Sequence, residues 1–98
     1  MDLIGVWEVD KGDARALSDL GDVLFEFGPG GKLRYIIRGR KRDEIIILNY
    51  KVEGSAILTD QPSKPRSERT EFSLADGILT LTFGGGAPYR FVRVERDS

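Results

Sequence analysis

"VLFEFGPGGKLRYIIRGRKRDEIIILNYKV", residues 23–52, alternates apolar and polar residues around two polar interruptions that carry glycine. A period of two is the mark of a strand with one buried face. Loop length then sets which residues face each other. A three-residue loop, Pro29-Gly30-Gly31, pairs Phe27 with Leu33, Phe25 with Tyr35 and Val23 with Ile37, and all six fall on one face. Pairing Arg38 with Asp43 around residues 39–42 puts Tyr35 opposite Ile46 and Leu33 opposite Leu48. The same face continues across three strands.

The pattern extends in both directions. Asp76-Gly77 is a strong two-residue hairpin signal; it pairs Leu74 with Leu79, Phe72 with Leu81 and Thr70 with Phe83. A loop from Gly84 to Pro88 pairs Phe83 with Tyr89 and Leu81 with Phe91. Strands are expected near 3–10, 22–28, 32–39, 42–52, 55–59, 66–74, 78–84 and 88–95. These registers send every aromatic to a common side: Trp7, Phe25, Phe27, Tyr35, Tyr50, Phe72, Phe83, Tyr89 and Phe91. The expected fold is all-β, a single small antiparallel up-and-down meander of about eight strands closed into a barrel. Only residues 13–20 read as helix, with Asp13 as N-cap, Leu17 and Leu20 on one face and Gly21 as the stop.

Composition bounds the chemistry. A chain of 98 residues is one domain. Its net charge of −1 creates no general field for nucleic acid. With no cysteine and no histidine, thiol chemistry and the commonest general base and transition-metal ligand are excluded. No segment has the acidic spacing of a calcium loop, so no metal site or cofactor is expected. No apolar run is long enough to span a membrane and no leader is visible at Met1-Asp2-Leu3, so the expected location is cytoplasmic, or periplasmic or secreted if a leader was removed.

In a closed meander the first strand pairs with the last. Gly5 and Trp7 share a face in "LIGVWEVD", residues 3–10, and Arg93 is in phase with Tyr89 and Phe91. An inward arginine needs a partner, and a Trp face is a good one. Arg93 is therefore expected to lie on Trp7 and shut one barrel end, with Gly5 leaving it room. The other phase would bury Val92 and Val94 instead.

A Gly-x-Trp near the N-terminus, a meander and an arginine in the last strand together resemble the lipocalin and fatty-acid-binding (calycin) superfamily, and most nearly its small bacterial lipocalin-like domains. The stretches "LIGVW" (3–7), "FEFGPGGKL" (25–33), "YKVEGSAIL" (50–58) and "LADGILTL" (74–81) carry the resemblance. It implies a structural role for Gly5, Trp7 and Arg93, and a binding protein for small hydrophobic molecules. The chain is shorter than true lipocalins, which implies less room for a ligand.

Six further features complete the reading. The interior is either an apolar pocket lined by Tyr35, Tyr50, Phe72 and Tyr89 or a filled core, with segment 13–20 as lid or plug. Ile36, Ile45 and Ile47 form an outward stripe that is either an interface, such as a homodimer contact, or covered by the short helix. Arg38, Arg40, Lys41 and Arg42 crowd one hairpin tip; they are anion-contact candidates, although solvation of the tip is the simpler role. "GPGGK" at 28–32 is not a phosphate loop, since a strand follows it and no Ser or Thr does. Catalysis has one candidate, Glu68, in phase with Thr70 and Phe72; the expected function is non-enzymatic binding. "DQPSKPR", 60–66, reads as a connector at a barrel end.

Overall fold

A computed structural model describes residues 3–62 and 67–94. The elements are β1 (Gly5–Val9), α1 (Ala14–Leu20), β2 (Val23–Phe27), β3 (Lys32–Ile37), β4 (Glu44–Glu53), β5 (Ala56–Asp60), β6 (Ser67–Ala75), β7 (Ile78–Phe83) and β8 (Pro88–Arg93). Each strand pairs antiparallel with the next, and β1 pairs with β8, so the sheet closes on itself as an eight-stranded barrel. Expected strands and helix are all present, with ends shifted by one or two residues.

The short loops set the registers as their lengths require. Phe25 faces Tyr35, Tyr35 faces Ile46 and Leu33 faces Leu48. Asp76 and Gly77 both take positive φ, 55° and 76°, as the two-residue turn demands, and Leu74 faces Leu79 across it. One register differs. Leu81 faces Tyr89 and Leu79 faces Phe91, two residues away from the expected pairing. The turn sits one residue earlier in the chain at the same length: Thr82 pairs with Pro88 and the Gly86 N–H donates to the Phe83 carbonyl at 2.8 Å, so Phe83 lies outside the β7–β8 ladder. A slip of two preserves every face.

The core follows from those faces. Trp7, Val23, Phe27, Leu79, Leu81 and Phe91 are almost completely buried. Phe25 is the hub of the rings, with centroids 4.8 Å from Tyr35 and 5.1 Å from Phe91. Tyr35, Tyr50, Phe72, Phe83 and Tyr89 are partly buried and pack against this cluster. Val52 keeps the interior phase yet is exposed. It pairs with Ile57 at the tip of the long β4–β5 hairpin, where a side chain reaches past the packed layers.

Strand direction gives the barrel two unlike ends. The loops after β2, β4 and β6 and the end of β8 lie at one; the connection holding α1 and the loops after β3, β5 and β7 lie at the other. At the first end Trp7 and Arg93 are direct cross-strand partners. The Arg93 guanidinium carbon sits 4.4 Å from the indole centroid, and its Nη1 donates to the Ile4 carbonyl at 2.8 Å. The indole N–H donates to the Leu3 carbonyl at 2.9 Å. Gly5 has φ +140°, and a Cβ there would strike Arg93 Nη1. The expected contact is present, but Arg93 is exposed rather than buried: it caps the end from outside, over a fully buried indole. Val92 stays on the outer face, opposite Glu8.

Candidate functional site

A cavity of about 330 Å³ lies inside the barrel at the α1 end. Its wall is apolar: Phe25, Phe27, Leu33, Leu48, Ile57, Leu81 and Phe83, with Tyr35 stacked on Phe25. Its polar members are Thr59, Glu68, Thr70 and the Tyr35 phenol, and Leu20 of α1 also lines it. An apolar enclosure with a few convergent polar groups is the usual form of a small-molecule site. A wider hollow of about 520 Å³ runs over Lys51, Asp60, Ser67 and Arg69, whose exposed polar side chains give it no such enclosure.

Of the four expected pocket residues, only Tyr35 lines this cavity. Burial raises its phenol above the ordinary tyrosine value, because the phenolate would be poorly solvated there. Tyr50 turns to the other end and donates to the Gly28 carbonyl at 2.9 Å, with its ring edge-on to Phe27. Phe72 packs against the core without reaching the cavity. Tyr89 holds the helix: its hydroxyl donates to Asp19 Oδ2 at 2.7 Å, and that bond raises its pKa. The wall is made instead of residues that read as filler on the sequence.

α1 is fixed at its start. The Asp13 carboxylate accepts from the Ala16 N–H at 3.1 Å, as an N-cap should, and from the Arg90 N–H of β8 at 2.9 Å. These two backbone donors, Arg90 first, hold its carboxyl below the ordinary aspartate value. Arg90 returns the contact by donating to the Gly12 carbonyl at 3.1 Å and pairing with Asp10 at 3.5 Å. The buried face of the helix is Ala16 with Leu20, and Leu17 is exposed, a correction of one position to the expected face. Sequence reading missed this Asp10–Asp13–Arg90 clasp, because its partners lie 77 residues apart and carry no local pattern.

The helix packs on β8 and does not cover the isoleucine stripe. Ile36 faces Ile45, and Leu24 faces Ile36, so the outer stripe runs across three strands. Ile45 and Ile47 are 46% and 51% exposed. The basic tip divides: Arg38 is committed to Asp22, with its Nη2 2.6 Å from Oδ1, whereas Arg40, Lys41 and Arg42 are exposed and form no ion pair among the described residues. Glu68 lies at the α1 end, so it is not a partner for Arg93 at the other. Of the connector 60–66, residues 63–66 lie outside the described residues. Among the described residues no group of acidic side chains is arranged to hold a metal ion, and no helix is long and apolar enough to cross a membrane.

Fold and site together define a closed eight-stranded meander barrel with a mostly apolar cavity that Leu20 of α1 helps to line. No protein-family profile, no curated protein sequence and no solved structure matches the chain.

Proposed function

We propose that the protein is a non-catalytic binding barrel for a small amphipathic molecule, held in the cavity beneath α1. The observation that carries this is a space of about 330 Å³ inside the barrel whose wall is mostly apolar, with Tyr35, Thr59, Glu68 and Thr70 as its polar members. An engineered apolar cavity of roughly 150 Å³ holds benzene, so a ligand of roughly ten to thirteen non-hydrogen atoms suits this one. The resemblance to lipocalin-like domains supports the same reading. The test is a calorimetric titration with 1-naphthol, which pairs an apolar double ring with one hydroxyl. Saturable one-to-one binding is expected, and Leu48→Trp, which fills the space from its wall, should weaken it at least ten-fold. A flat titration, or an unchanged affinity in the variant, would remove the reading.

The exposed Ile45 and Ile47 favour a second reading, in which this face contacts another copy of the chain. Light scattering after size exclusion tests it. A dimer that Ile45→Asp converts to monomer supports the contact; a monomer at high micromolar concentration in the parent chain ends it.

A further inference from the structure

We infer that two copies of the chain join edge to edge through β4, with their strands antiparallel about a two-fold axis at Ile46. The inference rests on the second reading above and adds the backbone pairing that makes the contact. β4 has ten residues and β5 has five. β5 pairs with residues 49–53 of β4 and ends at Asp60. β3 pairs with residues 44–49. Among the described residues, 44–48 therefore has a neighbouring strand on one side only. The barrel is closed through the other half of β4.

The alternation of an antiparallel ladder identifies the groups left over. The Tyr50 N–H donates to the Gly31 carbonyl at 2.8 Å, on the β3 side. Residues 48, 46 and 44 point the same way, so the N–H and C=O groups of Ile45 and Ile47 point to the open side. No strand among the described residues meets them there. Their side chains are exposed as well. An unpaired row of backbone groups is a template for another strand. In 44–48 only Glu44, at one end, carries a charge against such pairing.

A second β4 suits this edge. About an axis at Ile46, Ile45 lies opposite Ile47 of the second copy, and such a pair exchanges both of its N–H···O bonds. Glu44 lies opposite Leu48, so no like charges face each other. The two outer isoleucine stripes become neighbours on one surface. Past the paired segment, the tip carrying Arg40, Lys41 and Arg42 runs toward the level at which β5 of the other copy ends, at the exposed Asp60. The symmetry repeats this meeting of opposite charges at both ends of the contact.

Hydrogen exchange followed by NMR reads the edge amides directly, and light scattering gives the oligomeric state of the same samples. The Ile45 and Ile47 amides should exchange about ten-fold more slowly in the dimer than in the dilute monomer, while those of Ile46 and Leu48, bonded to β3, stay slow in both. Ile47→Pro removes an edge donor and leaves the β3 ladder whole; it should weaken the dimer about ten-fold. Ile47→Thr keeps the N–H and should weaken it less. If Ile47→Pro does not fold, exchange in the parent chain decides alone. A dimer whose Ile45 and Ile47 amides exchange fast at every concentration overturns the edge pairing and leaves the isoleucine-face contact standing. So does a dimer that Ile47→Pro spares and Ile47→Thr splits. Edge amides already slow in the dilute monomer show an edge closed within one chain, and overturn the pairing too. A parent chain that stays monomeric at high micromolar concentration removes both the pairing and the reading beneath it.

Discussion

Gly5→Ala should lower stability by about 3 kcal/mol, a fall of roughly 15 °C in Tm for a chain of this size. Two separate costs meet at this position. The backbone sits at φ +140°, where a residue with a Cβ is strained by about 1–3 kcal/mol. The new methyl would also occupy the place of Arg93 Nη1. The guanidinium must then leave the Trp7 face and release the Ile4 carbonyl, giving up about 1 kcal/mol of cation–π attraction. The two costs separate in a double-mutant cycle read by chemical denaturation. Arg93→Ala alone should cost about 1 kcal/mol. In the Gly5→Ala background it should cost close to nothing, since the contact is already lost. Simple addition of the two effects would mean that the glycine does not serve the arginine.

Asp13→Ala should cost about 2 kcal/mol near neutral pH, more than an ordinary cap, because one carboxylate serves two elements. It ends the first turn of α1 through the Ala16 N–H and ties the helix to β8 through the Arg90 N–H. The dependence on acid follows from the direction of its pKa. The folded value lies below the ordinary 3.8, so the folded state favours the ionised form. That stabilisation is complete above the unfolded value and disappears as pH falls through the folded one. The gap between parent and variant, measured by urea denaturation, should therefore be constant from pH 7 to about pH 5. It should shrink below pH 3.8. A gap that widens in acid would show that the carboxylate does not hold the clasp in its charged form.

What could be read in advance, and what could not, divides along the range of the interactions involved. The rings announced the interior because strand alternation is local, and short loops such as Asp76-Gly77 leave one register open. The Gly84-Gly85-Gly86 loop did not, since consecutive glycines accept several closures; β8 sits two residues away from the expected pairing for that reason. Gly5, Trp7 and Arg93 were legible as a group because ring closure makes the chain ends neighbours. The exposure of Arg93 was not, because alternation alone does not say whether the guanidinium covers the indole from inside the barrel or from solvent. The cavity lay beyond reach for a different cause. Whether Phe25, Leu48 and Leu81 meet or leave a gap depends on barrel width and on ring tilt, and neither has a sequence signature. The Asp13–Arg90 tie is a pairing of two common residue types across the whole chain, so nothing nearby marks it.

The placement of the lone indole has a practical outcome. Trp7 is fully enclosed at the end away from α1 and is absent from the cavity wall, while Tyr35 is part of that wall. The molecule thus carries two optical channels that report different events. Emission excited at the red edge of the indole band follows the seal between β1 and β8 and should stay steady when a guest enters. Phenol absorbance follows the guest. A titration that moves the first signal would be recording the opening of the barrel, whatever was added.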